Sequence, residues 1–279
     1  MAARVRASPA RVFYNVEMSL SRARSGAQST ERALLLLRTV ATRGQIGWRL
    51  SDLSSFCGLG ISTTHRLLQS LVRERLVRQR EVDRHYVPGP MLFELGLALP
   101  RSHTDFVDAT QTCLARVARK TGVMAYLMLR SGPDLVCAAR AGALPQQAYS
   151  IEPGSRRPLL SGAHGIAILI ELPEAERRRV VERNLRELQR LGSRWVRALE
   201  GVLAASVRAG FGVHRGEIVA GVHALAVPVI DQRARPFASL SLLGPADALP
   251  ASRSRSLVAL LRTEAAFLAR EAVRLGLET

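Results

Sequence analysis

The sequence predicts an α+β protein of two domains, a small helical domain followed by a larger one with an antiparallel sheet. Three helical periodicities and two short strand-like segments around a polar turn fill residues 29–89. After residue 122, strand-like pairs stand before and after a block of helices, which is typical of a mixed domain. The first 90 residues carry a net charge of +9 and the other 189 carry +8, so the N-terminal part is the more densely positive.

Length, composition and cysteine count limit the class of protein. The 279 residues and the hydrophobic fraction of 47% are enough for packed cores and exclude a disordered chain. No apolar run is long enough to span a membrane, and the N-terminus has no continuous apolar segment typical of a secretory signal. The three cysteines lack C-x-x-C spacing, which favours a reducing cytoplasm over a disulfide scaffold or a zinc site.

The net charge of +17 favours a polyanionic partner. Lys120 is the only lysine, so nearly all of the positive charge comes from arginine. A GC-rich genome, whose codons favour arginine, is therefore a competing explanation for the total net charge. The distribution is more informative than the total. Residues 1–90 hold fifteen arginines against six acidic residues, as expected of a DNA-binding domain joined to a less charged one.

Residues 1–25 are rich in Arg and Ser without apolar periodicity, and predict a flexible basic arm. A first helix is expected from Ser29, with a capping serine or threonine and a terminating Gly44. A second helix follows in "RLSDLSSFCGLG", and a third runs from about Ser62 to Glu74. A β-hairpin with its turn at residues 81–84 comes next.

Three helices and a hairpin, joined by a short Gly-containing turn between the second and third helices, predict a winged helix-turn-helix domain over residues 26–89. Its core is expected to contain Leu34, Leu36, Leu37, Leu53, Leu67, Leu71 and Val77. The apolar linker "MLFELGLAL" predicts a helix over residues 90–101 that packs against another surface, such as the same helix of a second chain.

The third helix combines a leucine-rich face with a polar first turn. A helix-turn-helix protein inserts that turn into the major groove, where hydroxyl groups, backbone N–H groups and arginine can contact phosphates and base edges. The hairpin would add arginines near the DNA backbone, although a hydrated charged turn is an alternative because it also holds acidic residues. The expected DNA-binding residues are Ser29, Ser62, Thr63, Thr64, His65, Arg66, Arg78, Arg80 and Arg84.

Residues 102–279 predict the larger domain, with one helix extending to Lys120 and another closing the chain. The predicted strands are "VMAYLML", "LVCAAR", "QAYSIE", "FGVHRGEI", "VHALAVPVID" and "PFASLSLLG". Helical segments are expected in "IAILIEL" and over residues 174–190 and 196–209. The strand pairs around these helices predict an antiparallel sheet.

From about Ser29 onward the chain resembles the isocitrate-lyase-regulator (IclR) family of bacterial transcription factors. The resemblance is carried by "STERALLLLRTV", "GLGISTTHRLLQSLVRERLV", "YVPGPMLFELG", "SRRPLLSGAHGIAIL" and "GVHALAVPVID", followed by "FASLSLLGP". It implies a winged helix-turn-helix domain, a linker helix and a GAF/PAS-like effector-binding domain. It also implies dimers or dimers of dimers that bind pseudo-palindromic double-stranded operators and respond to a small metabolite, often an organic or aromatic acid.

Carried over by position, the resemblance implies an effector site formed by Gly154, Arg156, Leu160, Ser161, Ala163, Ala224 and Ser241, and we expect His223 to belong to the same site. Arg156, Arg157 or His223 would be available for a carboxylate, although solvated loop arginines and a space-filling histidine are alternatives. Ala224, Leu243, Ile166 and Val123 stand where family members often have polar residues. These departures favour a more apolar or larger ligand than glyoxylate or pyruvate.

No catalytic, cofactor or metal site is expected. The chain has no G-x-S-x-G elbow, its glycine clusters are mis-spaced for a dinucleotide, and its histidines show no metal-ligand spacing. Ser161 and His164 are close in sequence but have no orienting acid. The expected function is a DNA-binding regulator controlled by a small molecule. The rivals are a sensor whose N-terminal domain contacts a protein partner, which a DNA mobility-shift assay would distinguish, and an enzyme acting in the sheet pocket.

Overall fold

The computed structural model describes residues 27–44, 46–143, 151–189 and 192–277, which fall into two units divided between Pro100 and Arg101. The predicted flexible arm, residues 1–25, lies outside the described residues. So do residues 147–150 of the strand expected in "QAYSIE".

The first unit is the predicted winged helix-turn-helix. Its helices are α1 (Gln28–Thr42), α2 (Leu50–Cys57), α3 (Ile61–Arg73) and α4 (Met91–Leu97), and its hairpin pairs β1 (Val77–Gln79) with β2 (Tyr86–Pro88). The turn between α2 and α3 is fixed by Gly58, which adopts the left-handed conformation at φ 62° and donates its N–H to Ser54 and Ser55. An additional bridge joins Trp48 to Tyr86 in the second strand of the hairpin.

Two details of α1 differ from prediction. The helix begins at Gln28 without a side-chain cap, so Ser29 lies exposed in the first turn and is not the capping residue. Leu34 is 52% exposed, whereas Leu36 and Val40 are fully buried. The core-facing stripe runs through Leu35, Leu36 and Val40, and Leu34 lies on the opposite side of the helix because each residue turns the chain by about 100°.

The linker helix α4 buries none of its residues. Phe93 is 70% exposed and Leu97 68%, so the expected packing of this helix against another surface stays a prediction.

The second unit is built around a six-stranded antiparallel sheet, which confirms the predicted α+β class. Its strands are β3 (Met124–Ser131), β4 (Asp134–Ala141), β5 (Arg156–Pro158), β6 (Gly212–Arg215), β7 (Val222–Ile230) and β8 (Pro236–Pro245). They lie in the order β5-β4-β3-β8-β7-β6. The helices are α5 (Arg101–Thr121), α6 (Ala163–Leu169), α7 (Glu174–Leu188), α8 (Ser193–Ala209) and α9 (Ser254–Arg274).

The two faces of this sheet differ in chemistry. One face packs against α5 and α9 in a core of aliphatic side chains that includes Leu127, Leu225 and Leu261. The other face is covered by α6, which contacts β6, β7 and β8. This helix approaches β6 closely because Gly212 has no side chain: a Cβ there would lie 2.1 Å from the carbonyl oxygen of Ala163. A cavity forms on this second face.

Candidate DNA interface and effector cavity

The outward face of α3 is polar. Ser62, His65 and Arg66 are exposed, and the next turns add Gln69 and Arg73 to the same side. The opposite side is anchored in the core by Leu68 and Leu71. No ion pair or hydrogen bond of the Arg66 guanidinium occurs within the described parts of the chain. The helix thus exposes polar side chains on one side and buries apolar side chains on the other, as expected of a helix that inserts into the major groove.

Thr64 does not belong to this face. It is fully buried, and its hydroxyl donates to the carbonyl oxygen of Gly60 at 3.1 Å. The reason is helical phase, since Thr64 precedes Leu68 by one turn and Leu71 by two. Thr64 is therefore removed from the expected DNA contacts, while Ser62 and Thr63 keep their places as predictions.

Gln69, which is not among the predicted DNA-binding residues, is exposed one turn after His65. Its Nε2 lies 3.4 Å from the His65 Nε2. The four-residue spacing was the available signal, because it places both side chains in one column of the helix. A side-chain amide in this position can form a bidentate contact with adenine.

The hairpin arginines divide into two groups. Arg80 is engaged inside the protein: its Nε donates to Asp83 Oδ1 at 2.8 Å, and its Nη2 donates to the Ile46 carbonyl oxygen at 3.3 Å. The hydrogen bond from Arg80, followed by that from His85, holds the pKa of Asp83 well below its usual range. Arg78 and Arg84 are exposed. Arg78 and Arg84 remain the DNA contacts expected of the hairpin. Arg80 instead stabilises the turn through its hydrogen bonds to Asp83 and to the Ile46 carbonyl oxygen.

The second unit holds a cavity of about 600 Å³, including its open mouth, between the sheet and α6. Its lining residues are Ile151, Arg157, Ser161, Gly162, Ala163, His164, His214, Ile218, Val219, Val222, Ala224 and Leu243. Most of these are apolar, and the polar ones include a guanidinium and two imidazoles. An apolar lining with a few polar groups is typical of sites that bind small organic ligands.

His164 lies in the wall of this cavity. Its Nδ1 is 2.6 Å from the Ser241 hydroxyl, and its ring meets Tyr126 edge-on. Burial lowers the pKa of His164 to about 3, with further lowering by the charges of Arg157 and His214. The imidazole is therefore neutral at neutral pH.

His214 occupies another part of the lining. Its Nε2 accepts the backbone N–H of Ile218 at 2.7 Å and that of Val219 at 3.3 Å. Since both partners are donors, Nε2 has no proton in the neutral ring and Nδ1 carries it. Burial lowers the pKa of His214 to about 4. This neutral ring thereby holds in place the loop that contributes Ile218 and Val219 to the cavity.

The expected effector residues separate into those that reach the cavity and those that do not. Ser161, Ala163 and Ala224 line it, and Ser241 holds His164. Arg157 also lines it. Arg156 instead donates to Asp134 at 2.9 Å, because neighbouring residues of a strand point to opposite sides. Of the two adjacent arginines expected to be available for a carboxylate, Arg157 therefore lies at the cavity, whereas Arg156 is paired with Asp134.

Three other expected residues lie away from the lining. His223 alternates with Val222 and Ala224 along β7, so its ring points to the other face, where Nδ1 lies 3.0 Å from the Leu249 carbonyl oxygen. Gly154 forms a turn at φ 82°, with its N–H donating to Cys137. The side chain of Leu160 is fully buried in the protein.

Sequence reasoning missed several lining residues, notably His164 and His214. His164 had a local signal, as a polar residue within an otherwise apolar helix. His214 is held by backbone N–H groups of a tight loop, and no residue type in the sequence predicts such contacts.

The described ranges lack two other kinds of feature. Within them, no group of three or more His, Cys, Asp or Glu side chains is arranged to hold a metal ion. Nor do those ranges contain a helix with the length and apolarity required for a membrane crossing.

Comparison with known families decides the relationship. Residues 29–81 match the IclR helix-turn-helix domain, and residues 101–270 match the C-terminal domain of the bacterial transcriptional regulator IclR. The chain belongs to the IclR family. It is therefore a DNA-binding transcriptional regulator, and this favours DNA over a protein as the partner of the N-terminal domain.

Individual relatives agree with this family. The glycerol operon regulatory protein of Streptomyces griseus is 29% identical over 80% of this chain and 86% of its own length. The HTH-type transcriptional regulator XynR of Escherichia coli K12 is 31% identical over 77% of this chain and 85% of its own. A crystal structure of an IclR homologue from Microbacterium hydrocarbonoxydans, complexed with 4-hydroxybenzoate, has a TM-score of 0.60 at 21% identity, covering 85% and 98% of the two chains. At that identity the likeness supports the fold alone.

Proposed function

We propose that a small organic acid with an apolar body binds in the cavity of the C-terminal domain and changes the affinity of α3 for an operator. The observation that carries this proposal is the lining, in which Arg157 stands among apolar walls and two neutral imidazoles. Arginine pairs with a carboxylate through two parallel hydrogen bonds. The apolar walls favour an aromatic or branched acid over glyoxylate or pyruvate.

The regulation we propose is linkage between the cavity and the operator site. If the ligand binds the DNA-competent and DNA-incompetent states with different affinities, it shifts the population between them. A coupling free energy of about 1–3 kcal/mol changes operator affinity roughly 5- to 150-fold.

We propose a homodimer, or a dimer of dimers, in which two α3 helices enter major grooves about one helical turn apart on a pseudo-palindromic site. The apolar side chains of α4 support packing between two chains.

The ligand class is tested by isothermal titration calorimetry with 4-hydroxybenzoate and benzoate, set against glyoxylate and pyruvate. 4-Hydroxybenzoate is the first probe because the Microbacterium relative holds it. We expect the aromatic acids to bind more tightly than the two small polar acids. Tighter binding of glyoxylate or pyruvate would contradict the proposed class. Operator binding with and without the tighter ligand then measures the coupling.

Replacing Arg157 by leucine is expected to weaken binding of the aromatic acid about 10- to 150-fold, because a charge-assisted bond of roughly 1.5–3 kcal/mol is lost. Titration calorimetry with 4-hydroxybenzoate measures the change. Arg255→Leu is the matched control, since Arg255 is an exposed arginine of α9, the helix on the opposite face of the sheet. Equal affinities in the two variants would remove Arg157 from the site.

The hairpin contacts are tested by the salt dependence of operator binding. Arg84→Ala is expected to reduce the slope of log K against log salt by about 0.9, the value for one phosphate contact. The control is the double variant Arg80→Ala/Asp83→Ala, which removes an internal ion pair without changing the net charge. We expect its slope to equal that of the wild type. A wild-type slope in Arg84→Ala would exclude that contact.

A further inference from the structure

Ile61, the first residue of α3, is chemically unlike its surroundings. Its side chain is 59% exposed, although its exposed neighbours Ser62, His65 and Arg66 are polar. Ile61 precedes Leu68 by seven residues and His65 by four, so it lies at the border between the buried and the exposed side of α3, with most of its side chain outside the core. A large aliphatic side chain is therefore more than half exposed at the N-terminal end of α3.

The position of Ile61 places it in line with residues that face the groove. Ile61, His65 and Gln69 are spaced by four residues, so they form one column along α3. The preceding Gly60 has open space around its Cα, since a Cβ built there meets no atom within 4 Å. Bulk on the N-terminal side of Ile61 is thus small, and a base edge can approach the side chain closely.

Thymine presents the largest apolar group on the major-groove edges of the four bases. Guanine, adenine and cytosine present N7, O6, N6 or N4, all of which donate or accept hydrogen bonds, whereas thymine presents a C5-methyl group beside O4. An isoleucine cannot satisfy a polar atom and loses free energy by desolvating one. Against a methyl group it instead removes apolar surface from water on both sides.

We infer that Ile61 reads the 5-methyl group of a thymine in the operator and so is a specificity-determining residue. The inference rests on the proposed insertion of α3 into the major groove. In this arrangement Ile61 contacts the thymine methyl group, and His65 and Gln69 contact polar edges of neighbouring bases. In a symmetric dimer the thymine recurs once in each half-site.

The experiment begins with selection of binding sites by the full-length wild-type protein from random double-stranded DNA. Each thymine of the selected site is then replaced singly by deoxyuridine, which removes the methyl group and leaves every hydrogen-bonding atom. We expect one position in each half-site where the wild type loses about fourfold in affinity, equivalent to the ~0.8 kcal/mol of one buried methyl-sized group. In Ile61→Ala the penalty at that position is expected to disappear.

Ile46→Ala is the matched control, because Ile46 is 61% exposed in the same domain but lies outside α3. We expect it to keep the deoxyuridine penalty at the same position. An equal penalty in Ile61→Ala and wild type, or no thymine sensitive to methyl removal, overturns the inference while leaving the DNA-binding function intact. Failure of the wild type to select any sequence would count against operator binding itself.

Discussion

Acidification from pH 7 to pH 5 is expected to lower the free energy of unfolding of the C-terminal domain by about 4 kcal/mol. The pKa of His164 is lowered to about 3 and that of His214 to about 4, from an ordinary value of 6.5. In the unfolded chain both rings take up a proton below pH 6.5, whereas in the folded domain they stay neutral until pH 3–4. Stability is therefore complete above pH 6.5 and falls by about 1.4 kcal/mol per pH unit for each histidine below it.

The measurement is a urea titration followed by pulsed hydrogen exchange, which reads peptides of β7 and β8 separately from those of α3. Carboxylates contribute little in this window. The pKa of Glu264, for example, is lowered by its hydrogen bonds from Arg116, so its contribution is lost only below the unfolded value of 4.5.

Two variants assign the effect to these rings. His164→Gln and His214→Gln each remove one titrating group while keeping a hydrogen-bonding side chain, and each is expected to reduce the loss to about 2 kcal/mol. The double variant is expected to retain little pH dependence between 7 and 5. A full loss in the double variant would show that other groups cause the acid sensitivity.

The fold follows from the sequence where apolar spacing is unambiguous. Leu68 and Leu71 fix which side of α3 is buried, and the alternation around residues 81–84 predicts the hairpin. The run Leu34–Leu37 is different, because four consecutive leucines are apolar on every side of a helix. Their rotation is set by packing against α3 and the hairpin, so Leu34 was wrongly expected in the core.

The cavity was less predictable than the fold. Arg156 and Arg157 are adjacent and chemically identical, and only the pairing of β5 with β4 determines which one faces the cavity. Likewise, the alternation of β7 directs His223 away and Ala224 inward. Thr64 differs, since its spacing of four and seven residues from Leu68 and Leu71 already indicated burial.

Arg66→Ala is expected to weaken binding to the selected operator by about 5- to 150-fold, corresponding to roughly 1–3 kcal/mol for a bidentate contact with guanine O6 and N7. The guanidinium is exposed on the second turn of α3 beside Ser62, where groove-reading side chains lie. Because the lost contact is to a base, the preference at one base pair should relax toward equality. Binding to all single-base variants of the operator measures both effects.

Arg73→Ala is the matched control. It distinguishes a contact of Arg66 with a base from a general attraction of its positive charge to DNA. Arg73 is exposed at the C-terminal end of the same helix, about 10 Å along the axis from Arg66, with Nη2 3.4 Å from the Ser70 hydroxyl. Both substitutions remove one positive charge from α3, so they share the electrostatic loss common to every DNA sequence. Only Arg66→Ala should also flatten the preference at one position. If the two variants lose affinity equally and keep the wild-type preferences, Arg66 contacts phosphate and the base assignment is wrong.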